Sequence, residues 1–390
     1  MNTLYELQAP TEWATSPGLW SSSSLDEVQG CPRRWQLLRS RWGAHPRFPV
    51  RPRPAAIEGQ IIHDALDRLA RACGQRGNPP FGSAEFKAAA AEAEFFEGFI
   101  TAITEWQEKM AEHPRPGPAF QLRTSPQELT NRAVRLFREQ YQPGTGAGRL
   151  HAQPVTLEEG DLSARLRVCG GLTELRLQHP DLPFMGVIDR VQWTDDGVEV
   201  VDFKSGRPSE RHREQLLRYA VLWWRAAGER PARITAQYLD GRATWALSED
   251  EVFATERVLG ESITTLAEQL IERPGPARPG AGCVWCPVRA RCEAGWGVAE
   301  EVARSEERGD AELIVVSRPG PHGFLTYAKT GDEVAVVYEA ALGALVPTVD
   351  VGAVLRVIDG VRKGHGRELE IKAWTEVFVA RQGGRTAAAR

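Results

Sequence analysis

Apolar residues recur at helical spacing through much of the first 140 residues and give way to alternating runs after residue 150. The helical spacing predicts α-helices at about residues 24–38, around His63, at 83–110 and at 126–141. A Gly-rich turn at 144–148 precedes strands over much of 152–204. A helix around Gln215 and a strand at 232–239 follow. We therefore expect an α/β domain in which helices flank a mixed sheet, with a helical insertion at about 84–141.

The last 80 residues have the pattern of an all-β unit. Short apolar runs between turns predict strands at 313–316, 323–327, 333–338, 352–358 and 368–379. Five strands of this length fit a small β-barrel, and we expect an OB-like one. Its basic residues fit either a module that guides DNA or a barrel that docks a partner protein, and the sequence does not decide between the two roles. The predicted division is a first domain at 1–299 and a barrel domain at 310–382.

Two short stretches of the predicted sheet bring charged side chains together. An Asp-Gly turn signal at 196–197, between two alternating apolar runs, predicts an antiparallel hairpin. With a loop at 195–196, Asp189 lies opposite Asp202; with a loop at 196–197, it lies opposite Lys204. In both registers the three side chains share one face, whereas a three-residue loop without a bulge would separate them.

The pair of aspartates predicts a metal site. Asp189 and Asp202 repel each other unless a cation lies between them, and oxygen ligands favour Mg²⁺ or Mn²⁺. Only a handful of the 48 Lys and Arg residues are lysines, and Lys204 is one of them. Its ammonium suits work on a metal-polarised water better than a guanidinium does. These residues favour cleavage of phosphodiester bonds, and a salt-bridged structural hairpin is the alternative.

Two helices beside the hairpin carry further polar candidates. His63 lies on the apolar stripe of its helix, as either a core residue or a metal ligand. Gln215 and Tyr219 lie one turn apart on one helical face, which is also typical of a solvent-exposed or capping pair. Each signal is weak alone, so their order along the chain matters more than any one of them.

The motifs run in the order Gly59-x-x-x-His63, Gly186-x-x-Asp189, Asp202-x-Lys204-x-Gly206 and Gln215-x-x-x-Tyr219. This order resembles the RecB-type branch of the PD-(D/E)XK nucleases. The resemblance implies a restriction-endonuclease-like fold in which Asp189 and Asp202 hold the catalytic metal and His63 supplies a further ligand or contact.

The same resemblance assigns roles to the remaining motif residues. It implies that Lys204 positions the attacking water, and that Gln215 and Tyr219 support the site and the DNA strand. Glu174 lies where family members often have an acidic strand residue, and it is a secondary candidate.

Cysteine spacing gives a second signal. Three of the six cysteines, Cys283, Cys286 and Cys292, follow a Pro- and Gly-rich stretch. A thiolate-bound metal usually takes four ligands, and Cys31 is the natural fourth. This split pattern resembles the iron-sulfur subset of the same family, the AddB-like nucleases. It implies a 4Fe-4S cluster that holds the two ends of the nuclease domain together, and spacing alone leaves zinc as the alternative.

Composition agrees with a soluble enzyme. The chain has 390 residues, of which 42% are hydrophobic, enough to bury one large core and a small one. The sequence has no signal-like start and no apolar run near the roughly 20 residues of a membrane span, so we expect a cytoplasmic protein without membrane contact. The net charge of −4 means that DNA must be bound by local basic patches.

One such patch lies between Cys31 and Glu58, where acidic residues are absent. Its basic and aromatic residues are Arg33, Arg34, Trp35, Arg39, Arg41, Trp42, Arg47, Phe48, Arg51 and Arg53. Cations for phosphates and aromatic faces for bases suit single-stranded DNA. The alternative is that the rings pack in the core and the arginines face solvent.

Taken together, these features predict a Mg²⁺- or Mn²⁺-dependent deoxyribonuclease. We expect a single-strand exonuclease that acts on DNA with a free end, in repair, recombination or defence. A nuclease subunit that acts only beside a helicase and a DNA-binding scaffold are the alternatives. The sequence has no Gly-x-x-x-x-Gly-Lys-Ser/Thr phosphate loop, so a motor of that type would be a separate partner.

Overall fold

A computed structural model describes the chain at residues 5–115, 117, 121–140, 162–204, 208–238, 241–302 and 308–380. Four features expected from the sequence lie outside these residues. They are the turn at 144–148, the strands at 152–161, Gly206 and the part of the barrel domain beyond residue 380.

Two short helices occupy the region expected to form one. Helix α1 spans Ser22–Gly30 and α2 spans Pro32–Arg39. Cys31 separates them because its backbone is extended and Pro32, at the first position of α2, has no N–H to continue the first helix. The single-helix prediction is therefore wrong. The break places the Cys31 sulfur at a helix start, 3.4 Å from the backbone nitrogen of Arg34.

The predicted helical insertion packs around its own hydrophobic cluster. The helices that form this cluster are α3 at Pro54–Gln75, which precedes the insertion, and α4 at Ala84–Glu92, α5 at Glu97–Ala111 and α6 at Pro126–Gln140 within it. Ile61, Phe99 and Leu129 lie in this cluster, so α3 belongs to it together with the insertion. The helix expected at 83–110 is two helices, because the chain turns at Glu94, where φ is 47°.

Next in the chain is a short helix, α7, at Leu162–Cys169, where strands were expected. Leu162 and Leu166 are buried, whereas Val168 is 86% exposed. A strand would place all three side chains on one face, so their burial follows the helical period and the strand prediction is wrong here.

The sheet of the first predicted domain has five strands in sequence order. They are β1 at Gly171–Gln178, β2 at Met185–Thr194, β3 at Gly197–Lys204, β4 at Arg233–Tyr238 and β5 at Gly241–Ala246. Only the β3–β4 pair within this sheet is parallel, which confirms the expected mixed sheet. Helix α8, Glu210–Ala227, connects these two strands and packs its apolar side on the sheet in the main core, as does α9, Glu249–Gln269.

The C-terminal region forms a closed five-strand barrel. Its strands are β6 at Arg308–Val315, β7 at Gly323–Ala328, β8 at Glu333–Tyr338, β9 at Val354–Lys363 and β10 at Glu368–Ile371. The β9–β10 pairing closes the ring, and β11 at Glu376–Ala380 adds to β9. The run expected as one strand at 368–379 is interrupted by a turn, in which Thr375 donates its N–H to the Lys372 carbonyl over 2.9 Å.

Contacts from the segment that carries Cys283, Cys286 and Cys292, here called the cysteine segment, and from the helix after it attach the barrel to the rest of the protein. Arg356 of β9 donates to the Ala290 carbonyl over 2.8 Å. Trp296, on helix α10 at Glu293–Val302, packs with Ile358 and Phe378 of the barrel. Within the described part of the chain, no helix combines the length and apolar character needed to cross a membrane.

Candidate active site and cysteine cavity

The register of the β2–β3 hairpin decides between the two sequence alternatives. Arg190 pairs with Val201 and Thr194 pairs with Gly197, so the loop consists of residues 195 and 196. One step further in this register places Asp189 opposite Asp202. The hairpin prediction is confirmed. At that step Asp189 Oδ2 accepts a hydrogen bond of 2.7 Å from the Phe203 N–H.

A continuous chain of polar side chains leads from β3 to α8. Asp202 is buried, and its Oδ2 forms an ion pair with Lys204 Nζ. Lys204 Nζ donates to Gln215 Oε1 over 2.7 Å, and Gln215 Nε2 donates to the Tyr219 hydroxyl over 2.8 Å. The structure therefore brings together four of the residues expected at the site, and α8 fixes the position of the lysine ammonium.

The glycine that precedes Asp189 by three residues has a steric role. A Cβ atom on Gly186 would lie 2.7 Å from Tyr219 Cε1 and 2.9 Å from Leu222 Cδ1. Any larger residue would push α8 away from the sheet, because real Cβ atoms do not approach other carbons so closely. Gly186 thus allows the close approach that brings Tyr219 and Gln215 to the site.

The two aspartates are held in surroundings that disfavour their charge. Burial first, and then the Asp202 carboxylate, raise the pKa of Asp189 to about 8. Burial also raises the pKa of Asp202, against the opposing effect of Lys204. The buried Oδ2 of Asp202 makes no hydrogen bond of normal geometry with the described residues. A divalent cation would satisfy this oxygen and relieve the repulsion, so the carboxylates fit the expected metal.

His63 lies on the site side of α3 and not in the core. Its side chain is exposed, whereas the adjacent Ile62 is buried, so the core interpretation is wrong. Positive charge on His63 would lower the pKa of Asp202, although this effect is smaller than those of burial and Lys204. The imidazole is therefore within electrostatic reach of the aspartates.

Glu174 lies on β1 between the pairs Thr173–Arg190 and Leu175–Ile188, and so beside Asp189. Partial burial, and next the Asp67 carboxylate, raise the pKa of Glu174. Part of the residue is still exposed to solvent. Sequence reasoning missed Asp67, which follows His63 by four residues and so lies on the same face of α3.

A second missed pair lies on the β4 side of Lys204. Tyr238 is the register partner of Lys204, and its hydroxyl is 3.0 Å from Nδ1 of His212. His212 precedes Gln215 by one helical turn, which is the spacing that could have indicated it.

No three His, Cys, Asp or Glu side chains within the described ranges lie close enough together to hold one metal ion. Mg²⁺ commonly binds through one or two carboxylates together with substrate phosphates.

The four cysteines expected to act together line a single cavity of about 190 Å³. They are Cys31, Cys283, Cys286 and Cys292. A Cβ atom on Gly295 would lie 3.4 Å from the sulfurs of both Cys283 and Cys292, so this glycine keeps the cavity wall open. Burial is the main cause that raises the pKa of the Cys286 thiol to about 11, with a smaller contribution from Cys283 and Cys292.

Four thiols around one cavity are a ligand set suited to a thiolate-bound metal group, whether zinc or an iron-sulfur cluster. The raised pKa also means that Cys286 requires a cation to ionise at neutral pH.

The aromatic rings of the basic patch are not available to bases. Trp35, Trp42 and Phe48 are all buried, which favours the packing interpretation for these rings. Arg33 Nε donates to the Gly275 carbonyl over 2.9 Å, and Arg39 forms a 2.6 Å ion pair with Glu27. The exposed arginines of the patch are Arg34, Arg41, Arg47 and Arg53.

Comparisons with known proteins point to one family. The model of the PD-(D/E)XK nuclease superfamily matches residues 19–293, which include the aspartate pair and all four cavity cysteines. No curated protein matches the chain.

Two solved structures show weak similarity. "Crystal structure of SSO0001" is 14% identical over 62% of this chain and 96% of that chain, with a TM-score of 0.25. "Crystal structure of the tetrameric p202 HIN2" is 16% identical over 19% of this chain, with a TM-score of 0.17. The latter match spans 42% of that chain. At these TM-scores neither similarity bears on the fold described above.

Proposed function

We propose that this chain, which belongs to the PD-(D/E)XK nuclease superfamily, is a Mg²⁺- or Mn²⁺-dependent deoxyribonuclease of the RecB type. One observation carries the proposal. Asp189 and Asp202 lie side by side on adjacent strands, with Lys204 held beside them by Gln215. Superfamily membership indicates a metal-dependent nuclease, and the finer assignment to DNA rests on the resemblance of the motifs.

Each side chain has a defined task in the proposed hydrolysis. Asp189 and Asp202 would hold the divalent ion, and His63 would add a further ligand or contact. When bound, the ion supplies polarisation of the attacking water and charge stabilisation at the scissile phosphate. Lys204 Nζ, as an ammonium whose direction Gln215 fixes, would donate to that water and stabilise the hydroxide that forms when the water loses its proton to solvent.

We also propose that Cys31, Cys283, Cys286 and Cys292 hold a 4Fe-4S cluster, as in AddB-like nucleases. The shared cavity supports a thiolate-bound metal group, and the choice of a 4Fe-4S cluster over zinc rests on the resemblance. The domain division that we propose is 1–299, with the insertion at about 84–141, and 310–382. The barrel's ring order, with β8 and β10 parallel, supports an OB-like assignment.

The substrate that we favour is single-stranded DNA with a free end, in repair, recombination or defence. The exposed candidates for phosphate contacts are Arg34, Arg41, Arg47 and Arg53. A helicase-associated subunit and a binding scaffold stay as alternatives, and cleavage by the isolated chain separates them from the favoured function.

The test is cleavage of end-labelled linear single-stranded DNA beside a closed single-stranded circle, with Mg²⁺ or Mn²⁺ and anaerobically purified protein. Loss of the linear strand alone would support an exonuclease, and cutting of both would show an endonuclease. The Asp202→Ala variant should cut neither, whereas Asp195→Asn at the hairpin tip should match the parent. Absence of cleavage by the parent chain would contradict the proposal of an independent nuclease.

A further inference from the structure

The polar face of α8 carries one side chain that the proposed hydrolysis does not use. His212, Gln215 and Tyr219 follow each other at spacings of three and four residues, so all three project from the same side of the helix. Gln215 and Tyr219 belong to the chain of hydrogen bonds that leads to Lys204. His212 lies outside that chain, one turn closer to the start of the helix, so its role needs a separate explanation.

The charges of the active site act on the His212 imidazole. Burial first, and then the Lys204 ammonium, lower the pKa of His212, against the opposing effect of the Asp202 carboxylate. On the strand side, Tyr238 is the register partner of Lys204, and its hydroxyl lies 3.0 Å from His212 Nδ1. The imidazole therefore lies at the edge of the proposed metal centre, on the β4 side.

The surroundings of Tyr238 decide which ring nitrogen of His212 carries the proton. Burial raises the pKa of Tyr238, whereas a hydrogen bond with the Ser209 backbone acts against that rise. A hydrogen bond has this effect when it is donated to the phenol oxygen, because it stabilises the phenolate. The Tyr238 hydroxyl then donates its own hydrogen to His212 Nδ1. Since its lowered pKa keeps the imidazole neutral at neutral pH, the ring proton lies on Nε2.

Nε2 is the nitrogen that can reach a ligand. His212 is partly exposed, and among the residues that the structure describes its only hydrogen bond is the one at Nδ1. A neutral N–H adds a donor beside Lys204 without a second positive charge that would repel the ammonium. Most hydrogen bonds from proteins to DNA go to phosphate and sugar oxygens. A phosphate oxygen of a bound strand is therefore the acceptor that fits this donor best.

We propose that His212 Nε2 donates a hydrogen bond to a phosphate of the substrate strand beside the scissile linkage, and that Tyr238 holds the imidazole in the donor tautomer. The proposal rests on the proposed function, because a DNA strand must occupy the site. The divalent ion and Lys204 act at the scissile phosphate, so His212 is assigned to a neighbouring one. His212 is then a substrate-binding residue, and Tyr238 is a positioning residue that acts through it.

The test combines protein variants with changes in the DNA. Binding is measured by fluorescence anisotropy on the full-length, cluster-loaded Asp202→Ala protein without added divalent ions, so that the DNA is not cut. The probes are end-labelled oligothymidylates in which one phosphate is replaced by a neutral methylphosphonate, at a position that moves by one linkage from probe to probe. His212→Ala and Tyr238→Phe are made in the same background. His322→Ala, at an exposed histidine of the barrel domain, is the matched control.

The expected result is a loss that depends on the position of the changed phosphate. At one linkage the methylphosphonate should weaken binding to the Asp202→Ala protein about tenfold and have little effect on the His212→Ala protein, because the same hydrogen bond cannot be lost twice. Tyr238→Phe should respond less than the Asp202→Ala protein at that linkage, since the ring stays but its tautomer is no longer fixed. His322→Ala should respond to every probe as the Asp202→Ala protein does.

Nitrogen-15 spectra of histidine-labelled Asp202→Ala protein give a readout that a merely structural role would not change. The signals of His212 are those absent from His212→Ala, and they should show a protonated Nε2 and an unprotonated Nδ1. In Tyr238→Phe the proton should distribute between the two nitrogens. This comparison also carries the test of the tautomer if His212→Ala reduces folding, because Tyr238→Phe removes only a hydroxyl.

The proposal and the proposed function fail in different ways. Equal losses of affinity in the Asp202→Ala and His212→Ala proteins for every probe would overturn the proposal, and so would absence of DNA binding by the Asp202→Ala protein. Failure of the proposed function appears instead as absence of cleavage by the parent chain with Mg²⁺ or Mn²⁺. Circular dichroism and thermal melting of each variant show that it is folded.

Discussion

The active site and the cysteine cavity are built in opposite ways. Most active-site residues come from one continuous stretch, Asp189 to Tyr219, and hairpin register fixes the two aspartates. The cysteine cavity joins Cys31 to a segment that begins at Cys283, and it exists only when the two ends of the matched domain are folded together. We therefore expect changes at the first site to remove chemistry and leave the fold, whereas changes at the second remove stability and reduce chemistry indirectly.

The largest effect is expected from the active-site charges. Asp202→Asn and Lys204→Ala should each lower cleavage by at least about 100-fold, because they remove a metal ligand and the ammonium that stabilises the attacking hydroxide. Iron content and melting temperature should stay close to those of the parent. Asp195→Asn, on the same hairpin but outside the site, should cleave normally. Parental cleavage rates in either site variant would show that the site is misassigned.

Cys31→Ser tests the other half of the comparison. We expect loss of bound iron and a decrease in unfolding free energy of at least about 2 kcal/mol, because the link between the chain ends is lost. Cleavage should fall less than in Lys204→Ala. Cys73→Ala, in the helical cluster and away from the cavity, should keep its iron. Iron content and thermal unfolding are measured on both variants. A Cys31→Ser protein that keeps its bound iron would contradict the assignment of Cys31 as a cluster ligand.

Gly186→Ala tests whether α8 must approach the sheet closely. The added methyl group would collide with Tyr219 and Leu222, so the turnover number should fall about 10-fold as Gln215 releases Lys204. Gly171→Ala, on β1 of the same sheet, has no contact closer than 3.7 Å and should be nearly neutral. Equal turnover of the two variants would rule out this packing role.

Gly295→Ala should reduce iron occupancy without unfolding the protein. Its methyl group would lie against the sulfurs of Cys283 and Cys292, where a cluster needs space. Gly297→Ala, on the same helix, meets no atom within 4 Å and serves as the control. Iron and sulfide analysis of the two purified variants gives the comparison, and identical loading would mean that the cluster does not reach this wall.

The smallest effect is a dependence of stability on pH. Since the pKa of Asp189 is raised to about 8, the folded state binds more protons than the unfolded state between about pH 4 and 8. Metal-free protein should therefore lose stability as the pH rises through this range. Asp189→Asn should melt a few degrees above the parent at pH 8.5 and nearly equal to it at pH 5. A lower melting temperature of Asp189→Asn at pH 8.5 would contradict the buried-charge account.

The sequence was most informative where local pattern decides structure. The turn signal at 196–197 and the alternation around it were enough to predict the hairpin and to place Asp189, Asp202 and Lys204 on one face, and the structure then selected the register that puts Asp189 opposite Asp202. The barrel strands were likewise predicted from short alternating runs. Their pairing into a closed ring depends on β9 and β10, whose contact no local pattern specifies.

Contacts between distant elements could not be predicted in the same way. Asp67 lies close enough to Glu174 to raise its pKa although the two residues are far apart in sequence, and Trp35 is buried because α2 packs into the main core. Helix α7 was missed because its leucines repeat every four residues, which fits a strand face as well as a helix turn. The exposure of Val168 resolves the ambiguity, and it is visible only after folding.

Calorimetric titration of Mn²⁺ into the cluster-loaded parent, Asp189→Asn and Asp202→Asn tests the central claim most directly. The account predicts divalent-ion binding by the parent that is lost or weakened at least about 10-fold in both variants, with the iron content of all three unchanged. Equal Mn²⁺ affinity in the three proteins would contradict the claim that these two aspartates form the metal centre.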